Sequence, residues 1–156
     1  ELIASYPDIN FYAYYIERDS DQNYASGHRS GVSDYLASTL NLPASHFGVE
    51  EVRTFLKYTE YNYKSDHHWA YAGSYEGYKE MISMLKPGET PLIPMDLLQI
   101  GYTKGSFTKT NATANIKDTF YAYEFPFPSM TVYLNGKVAK DYGAQASYIE
   151  KARKEL

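Results

Sequence analysis

Asp66-His67-His68-Trp69 is the densest group of proton-transfer side chains in the sequence, holding two of its four histidines directly after an aspartate. On an extended or turned backbone, residues i and i+2 point the same way. Asp66 and His68 are then neighbours, and His67 turns to the other side. A carboxylate that accepts the Nδ1 hydrogen of an imidazole fixes its tautomer and stabilises the imidazolium. Nε2 is left to take a proton from a hydroxyl nucleophile. Imidazole suits this task because its unperturbed pKa is about 6.5. Asp66 and His68 are therefore the candidate catalytic residues, half of an acyl-transfer or ester-hydrolysis site that still needs a nucleophile.

A metal centre is the rival chemistry, drawing on Asp66, His67 or His68 together with His28 or His46. Adjacent histidines diverge on an extended chain and rarely chelate one ion, so neither a metal nor another cofactor is expected. His28, beside Arg29 and between Gly27 and Gly31, reads as part of a surface loop, and His46 before Phe47 as a packing residue.

The elements around the cluster follow from periodicity and punctuation. Ile9 to Ile16 is aromatic and β-branched and follows Pro7-Asp8, which predicts a buried strand. Glu17 to Ser33 is a polar loop at the end of that strand, where α/β folds usually build sites. Asp34 to Leu42 predicts a short helix ending before Pro43. Val49 to Tyr58 predicts another helix or helix-turn with Val52, Phe55 and Leu56 on one side, and Tyr61 to Tyr63 a brief strand. Tyr71, Tyr75, Tyr78, Met81, Ile82 and Leu85 recur at three- and four-residue steps, predicting an amphipathic helix that Pro87-Gly88 stops. Further on, Thr103 to Thr110 is polar, Thr119 to Phe127 alternates aromatics, and Met130 to Leu134 leads into Asn135-Gly136, a tight hairpin turn. Ala144 to Leu156 is helix-like.

At 156 residues the chain can bury one core, and 44% hydrophobic with 22% charged residues is ordinary for a globular domain. A formal net charge of -4 with dispersed Lys and Arg argues against a nucleic-acid partner. The absence of Cys excludes disulfides and thiolate metal sites. No apolar run is long enough for a membrane helix, and no signal-peptide pattern opens the chain. Eighteen Tyr suit clefts that bind amphipathic ligands such as sugars. The start at Glu1 without Met and the stop inside a helix-like stretch read as a segment of a longer parent chain.

The run Tyr63-Lys64-Ser65-Asp66-His67-His68-Trp69, followed by Gly73-Ser74-Tyr75 and Tyr78, resembles the DHHW family of bacterial proteins, named for this tetrapeptide. It is similar in turn to the SGNH-hydrolase-like domain of the alginate O-acetyltransferases, where Asp-Thr-His-Trp precedes a comparable helix. Gly105-Ser106 and Lys117-Asp118-Thr119-Phe120 extend the similarity loosely downstream. The resemblance implies an α/β fold with a three-layer, flavodoxin-like sheet and flanking helices, here as one partial domain over residues 1-156. It also implies a Ser-His-Asp triad in which Asp66 orients His68, with His67 where the acetyltransferases carry Thr and Trp69 packing the loop.

The superfamily nucleophile sits in a Gly-Asp-Ser or Gly-Thr-Ser turn, and neither tripeptide occurs in this sequence. Gly105-Ser106 is the nearest stand-in, and the Gly73-Ser74 pair falls inside the helix. The implied function is part of a bacterial esterase or O-acetyltransferase acting on a cell-surface polysaccharide or acylated glycan. It would be extracellular or anchored on the outer face of the cell, with its nucleophile in the remainder of the parent chain. A non-catalytic carbohydrate-binding or scaffolding domain on the same fold is the alternative, and a metal-dependent hydrolase the third. Asn111-Ala112-Thr113 matches a glycosylation acceptor pattern, which means little in a bacterial chain.

Overall fold

The computed structural model describes residues 2-18, 22-110, 115-126 and 131-141. It is a mixed α/β structure of small sheets and several helices. The chain divides into two compact units. One comprises the segment up to Asn62 with Ala72–Pro91, the other Tyr63–Tyr71 with the segment from Leu92 onward.

The first unit opens with a helical turn, α1 (Leu2–Ser5), and a short strand, β1 (Ala13–Ile16). The predicted strand over Ile9 to Ile16 is thus confined to its second half. Within the polar loop that follows, β2 (Gln22–Asn23) and β3 (His28–Arg29) pair as a small antiparallel ladder. The helix α2 (Val32–Leu40) stops where Asn41 takes a left-handed conformation, φ 51. A short 3-10 turn over Ala44–His46 then leads into β4 (Phe47–Glu50), which pairs parallel with β1. Two parallel strands with a helix between them in sequence form a βαβ connection.

The predicted helix over Val49 to Tyr58 is corrected. Val49 and Glu50 end β4, and the helix α3 begins only at Phe55 and runs to Tyr61. Thr54 caps it, its hydroxyl accepting from the Lys57 amide at 3.1 Å. Val52 is buried, but Phe55 and Leu56 are exposed, so the three do not share a buried side. Tyr61, expected to open a strand, is the last residue of α3.

The helix α4 (Tyr71–Leu85) has the predicted bounds. Its fully buried residues are Gly73 and Gly77, one turn apart, with the tyrosines only half-buried beside them. A Cβ at Gly73 would come within 2.6 Å of the Tyr61 carbonyl oxygen, so α3 and α4 approach backbone to backbone. The Tyr14 ring lies over its strand partner Gly48. Its hydroxyl reaches Glu80 of α4 at 2.6 Å.

The second unit is built on β5 (Asp96–Thr103) and β6 (Asp118–Glu124), antiparallel, with an irregularity between Gln99 and Gly101. A short helix, α5 (Ser106–Thr110), lies between them in sequence. Ile100 and Ala70 are the buried apolar residues of this unit among those described. β7 (Thr131–Leu134) and β8 (Lys137–Asp141) form the predicted hairpin, with Asn135 at φ 52 and Gly136 at φ 74. Positive φ at both central residues matches the right-handed twist of paired strands. The expected helix over Ala144 to Leu156 and the Asn111-Ala112-Thr113 pattern lie outside the described residues. Among the described residues, no helix is long and apolar enough to cross a membrane.

Candidate active site

The segment Lys64 to His68 is a succession of bends beside the end of the β5–β6 pair where Thr103 pairs with Asp118. Its anchor is Ser65, which is fully buried. The Ser65 hydroxyl donates to Asp118 Oδ2 at 2.5 Å and accepts from the Gly105 amide at 2.9 Å. The Ser65 amide donates to the same carboxylate oxygen at 2.7 Å, and the Lys64 amide to Oδ1 at 3.0 Å. The Phe107 amide closes the ring by donating to the Ser65 carbonyl at 3.0 Å. Ser65 therefore has a structural role, its hydroxyl consumed by partners and shut away from solvent.

Gly105 is obligatory here for a different reason than turn geometry. A Cβ on it would overlap the Ser65 carbonyl and the Asp66 Cβ. Only a residue without a side chain lets the two backbones pass this closely.

Asp66 sits on this platform with both carboxylate oxygens engaged. Oδ2 accepts from the Ser106 amide at 2.8 Å. Oδ1 accepts from the His68 amide at 3.3 Å, an Asx-type turn, and lies 2.5 Å from His68 Nδ1. Burial acts to raise the carboxyl's pKa, but the Ser106 amide and the His68 ring outweigh it and hold it at about 2. A permanently charged acceptor at that distance fixes the Nδ1–H tautomer of His68. The His68 side chain is 71% exposed, so Nε2 is the nitrogen left to exchange a proton with an incoming group. Asp66 and His68 are thus brought together in the manner the i, i+2 spacing predicts.

His67 departs from expectation. It does not turn away. Its ring lies 4.2 Å from that of His68, and its Nδ1 is 3.3 Å from the same Asp66 oxygen. The segment bends rather than extends, and bending places neighbouring side chains on one side. The same Nδ1 is 3.3 Å from Ser106 Oγ. The Asp66, His67 and His68 ligand atoms all fall within 4.8 Å of one another, and neither His28 nor His46 belongs to this set. His46 is occupied elsewhere, with Nδ1 3.1 Å from the Phe11 carbonyl and its ring stacked on Tyr12 at 4.1 Å.

Ser106 follows β5, Lys104 and Gly105, and it opens α5, so the strand that the sequence did not reveal before it is present as β5. Its relation to His67 is nevertheless wrong for a triad. A nucleophile and an orienting carboxylate must use opposite ring nitrogens. Here both Ser106 Oγ and Asp66 Oδ1 approach Nδ1. Ser74, the other serine preceded by glycine on the DHHW pattern, is an exposed residue of α4. Trp69 is half-buried.

Asp118 is the functional residue that sequence reasoning passed over. It stands 53 positions from Ser65, and the one signal for it was its place in Lys117-Asp118-Thr119-Phe120. Comparison with protein-family models, with curated proteins and with solved structures returns no match for this chain.

Proposed function

We propose that Asp66 and His68 are the orienting acid and general base of an acyl-transfer or ester-hydrolysis centre. The parent protein is then a bacterial cell-surface esterase or O-acetyltransferase acting on an acylated polysaccharide through a Ser-His-Asp triad. The observation that carries this reading is the 2.5 Å contact between Asp66 Oδ1 and His68 Nδ1 on a ring otherwise open to solvent. His68 Nε2 takes the proton of a serine hydroxyl as that oxygen attacks the acyl carbon. It returns the proton to the departing alkoxide, and Asp66 stabilises the imidazolium between the two steps. The serine comes from residues of the parent chain beyond this constellation. A three-layer SGNH-like fold accords with the parallel β1 and β4 pair and its intervening α2.

A carbohydrate-binding role finds its own support in the second unit. Tyr121 and Tyr123 alternate along β6, and Tyr71 meets both edge-on at 5.4 and 5.2 Å. All three are half-buried, and a tyrosine's apolar ring with its polar hydroxyl suits amphipathic ligands such as sugars.

The test is acetyl-ester turnover by the parent protein carrying Asp66→Asn or His68→Ala. Loss of the correct His tautomer lowers turnover by about 10⁴-fold in a working triad. Wild-type turnover in both variants would sink the catalytic reading, and unchanged glycan binding alongside lost turnover separates it from the binding reading. Retained turnover in Ser106→Ala is also expected, because Ser106 faces the wrong ring nitrogen.

A further inference from the structure

We propose that Asp66, His67 and His68 together form a binding site for one divalent transition-metal ion, zinc in the first instance. The ligands are Asp66 Oδ1 and the Nδ1 atoms of the two imidazoles. Both nitrogens already face that one oxygen, at 3.3 Å for His67 and 2.5 Å for His68. Two nitrogens and one carboxylate oxygen form a borderline set that suits zinc, nickel or copper, whereas magnesium and calcium ask for oxygen ligands alone.

Metal-ligand bonds of about 2.0 to 2.1 Å in a tetrahedron separate neighbouring ligand atoms by about 3.3 Å. His67 Nδ1 and Asp66 Oδ1 stand at that separation now. His68 Nδ1 reaches it by swinging outward by less than about 1 Å, trading its hydrogen bond for a metal bond. The ring is 71% exposed, so most of its border is solvent and not packed side chains. Exposure of both rings also leaves room for water to complete the coordination.

The carboxylate is oriented as metal-binding carboxylates generally are. Its second oxygen is held by the Ser106 amide at 2.8 Å, which fixes the carboxylate plane and leaves Oδ1 facing the rings. The 4.2 Å separation of the ring centroids removes the usual objection to adjacent histidines, that their rings diverge.

Resting on the acyl-transfer reading, the site has a regulatory consequence. A neutral imidazole carries one N–H. Metal at Nδ1 of His68 leaves that hydrogen on Nε2, with no net gain or loss of a proton. Nε2 is then a donor and cannot accept from a nucleophile, so metal binding and the proton relay exclude each other.

Isothermal titration of the full chain with zinc chloride at about pH 7.5, where an ordinary imidazole is neutral, tests the site without any substrate. The expected result is saturable binding of one ion per chain and no binding heat with magnesium chloride. Outer-shell partners alone change metal affinity by about 10 to 100-fold. Loss of a direct ligand in His67→Ala or His68→Ala should therefore weaken binding at least about tenfold. The His68 side chain is 71% exposed and that of His67 43%, so an unchanged circular dichroism spectrum is expected and certifies folding. The imidazole 15N spectrum should show zinc on Nδ1 and hydrogen on Nε2 of both residues.

Absence of saturable zinc binding, or equal affinity in the His67→Ala, His68→Ala double variant, overturns the site. Zinc binding by a parent protein that shows no ester turnover even when metal-free overturns the catalytic reading and keeps the site. Full turnover at saturating zinc overturns the mutual exclusion.

Discussion

Replacing Glu50 by Gln should remove a stability penalty that grows with pH. Glu50 ends β4 with only 2% of its surface exposed. Its Oε1 has no hydrogen-bond partner among the described residues, and Oε2 is a long 3.5 Å from the Tyr14 hydroxyl. Burial first, then the Glu80 carboxylate of α4, push its pKa from 4.5 to about 7. Glu76 of α4 adds to this, while Lys57 of α3 and the Tyr14 hydroxyl partly offset it. Tyr61 of α3 also senses the Glu50 charge. The folded state thus holds this proton more tightly than the unfolded state. Stability then falls as pH rises from about 4.5 to about 7 and is level above that.

Full ionisation costs about 3 kcal/mol on that span. Glu50, Glu76, Glu80 and Lys57 line a cavity of about 300 Å³. Water entering it relaxes the charge, so about 1 to 3 kcal/mol is expected at pH 8. Gln matches the protonated carboxyl in shape and cannot ionise. Urea unfolding of wild type and Glu50→Gln, at about pH 4 and about pH 8, reads the effect, because titrating groups not coupled to Glu50 cancel in the difference. The variants should be nearly equal in acid, with Glu50→Gln the more stable at pH 8. A difference independent of pH would refute the desolvation of Glu50.

Asp118→Asn should destabilise the chain by about 1.5 to 3 kcal/mol in urea unfolding, since it withdraws charge from three donors on Lys64 and Ser65. Gly105→Ala should cost about 1 to 3 kcal/mol or more, because backbone and not a pliable side chain meets the new Cβ. A changed His68 ring spectrum should accompany it, and a thermal melt and ring spectrum like wild type would contradict the close approach. Thr54→Ala removes the α3 cap and should lower stability by about 1 kcal/mol, measured by the thermal midpoint.

The parts of this fold legible in the sequence are those fixed by neighbours along the chain. The bounds of α4 follow from its periodicity and from Pro87-Gly88. The β7–β8 turn follows from Asn135-Gly136, and the Asp66–His68 contact from a two-residue spacing. The last two residues of β4 fall within a helical pattern, because Val49, Val52, Phe55 and Leu56 recur at helical steps. Its state is decided instead by pairing with β1, more than thirty residues away in sequence. Strand β5 gave little signal, since Leu97 and Leu98 are adjacent and Asp96, Gln99 and Gly101 interrupt the alternation. The orientation of His67 was missed for a related reason. Whether Lys64 to His68 extends or bends depends on Asp118 and Gly105, and no local pattern names either of them.

The buried clamp also explains how a solvent-exposed pair can hold a defined geometry. An exposed ion pair is generally worth about 0 to 1 kcal/mol, too little to order two side chains and a flexible loop. At this site the ordering is done beneath the surface. The Ser65 hydroxyl and amide and the Asp118 carboxylate meet in a volume closed to solvent, and the Gly105 and Phe107 amides complete the ring. Asp66 therefore starts from a fixed backbone, with one oxygen already held by Ser106. The exposed imidazole of His68 has only its own side-chain torsions to settle. A clamp of this kind orients a proton relay and a metal site equally well. What separates the two is whether the hydrogen of His68 resides on Nδ1, facing Asp66, or on Nε2, facing solvent.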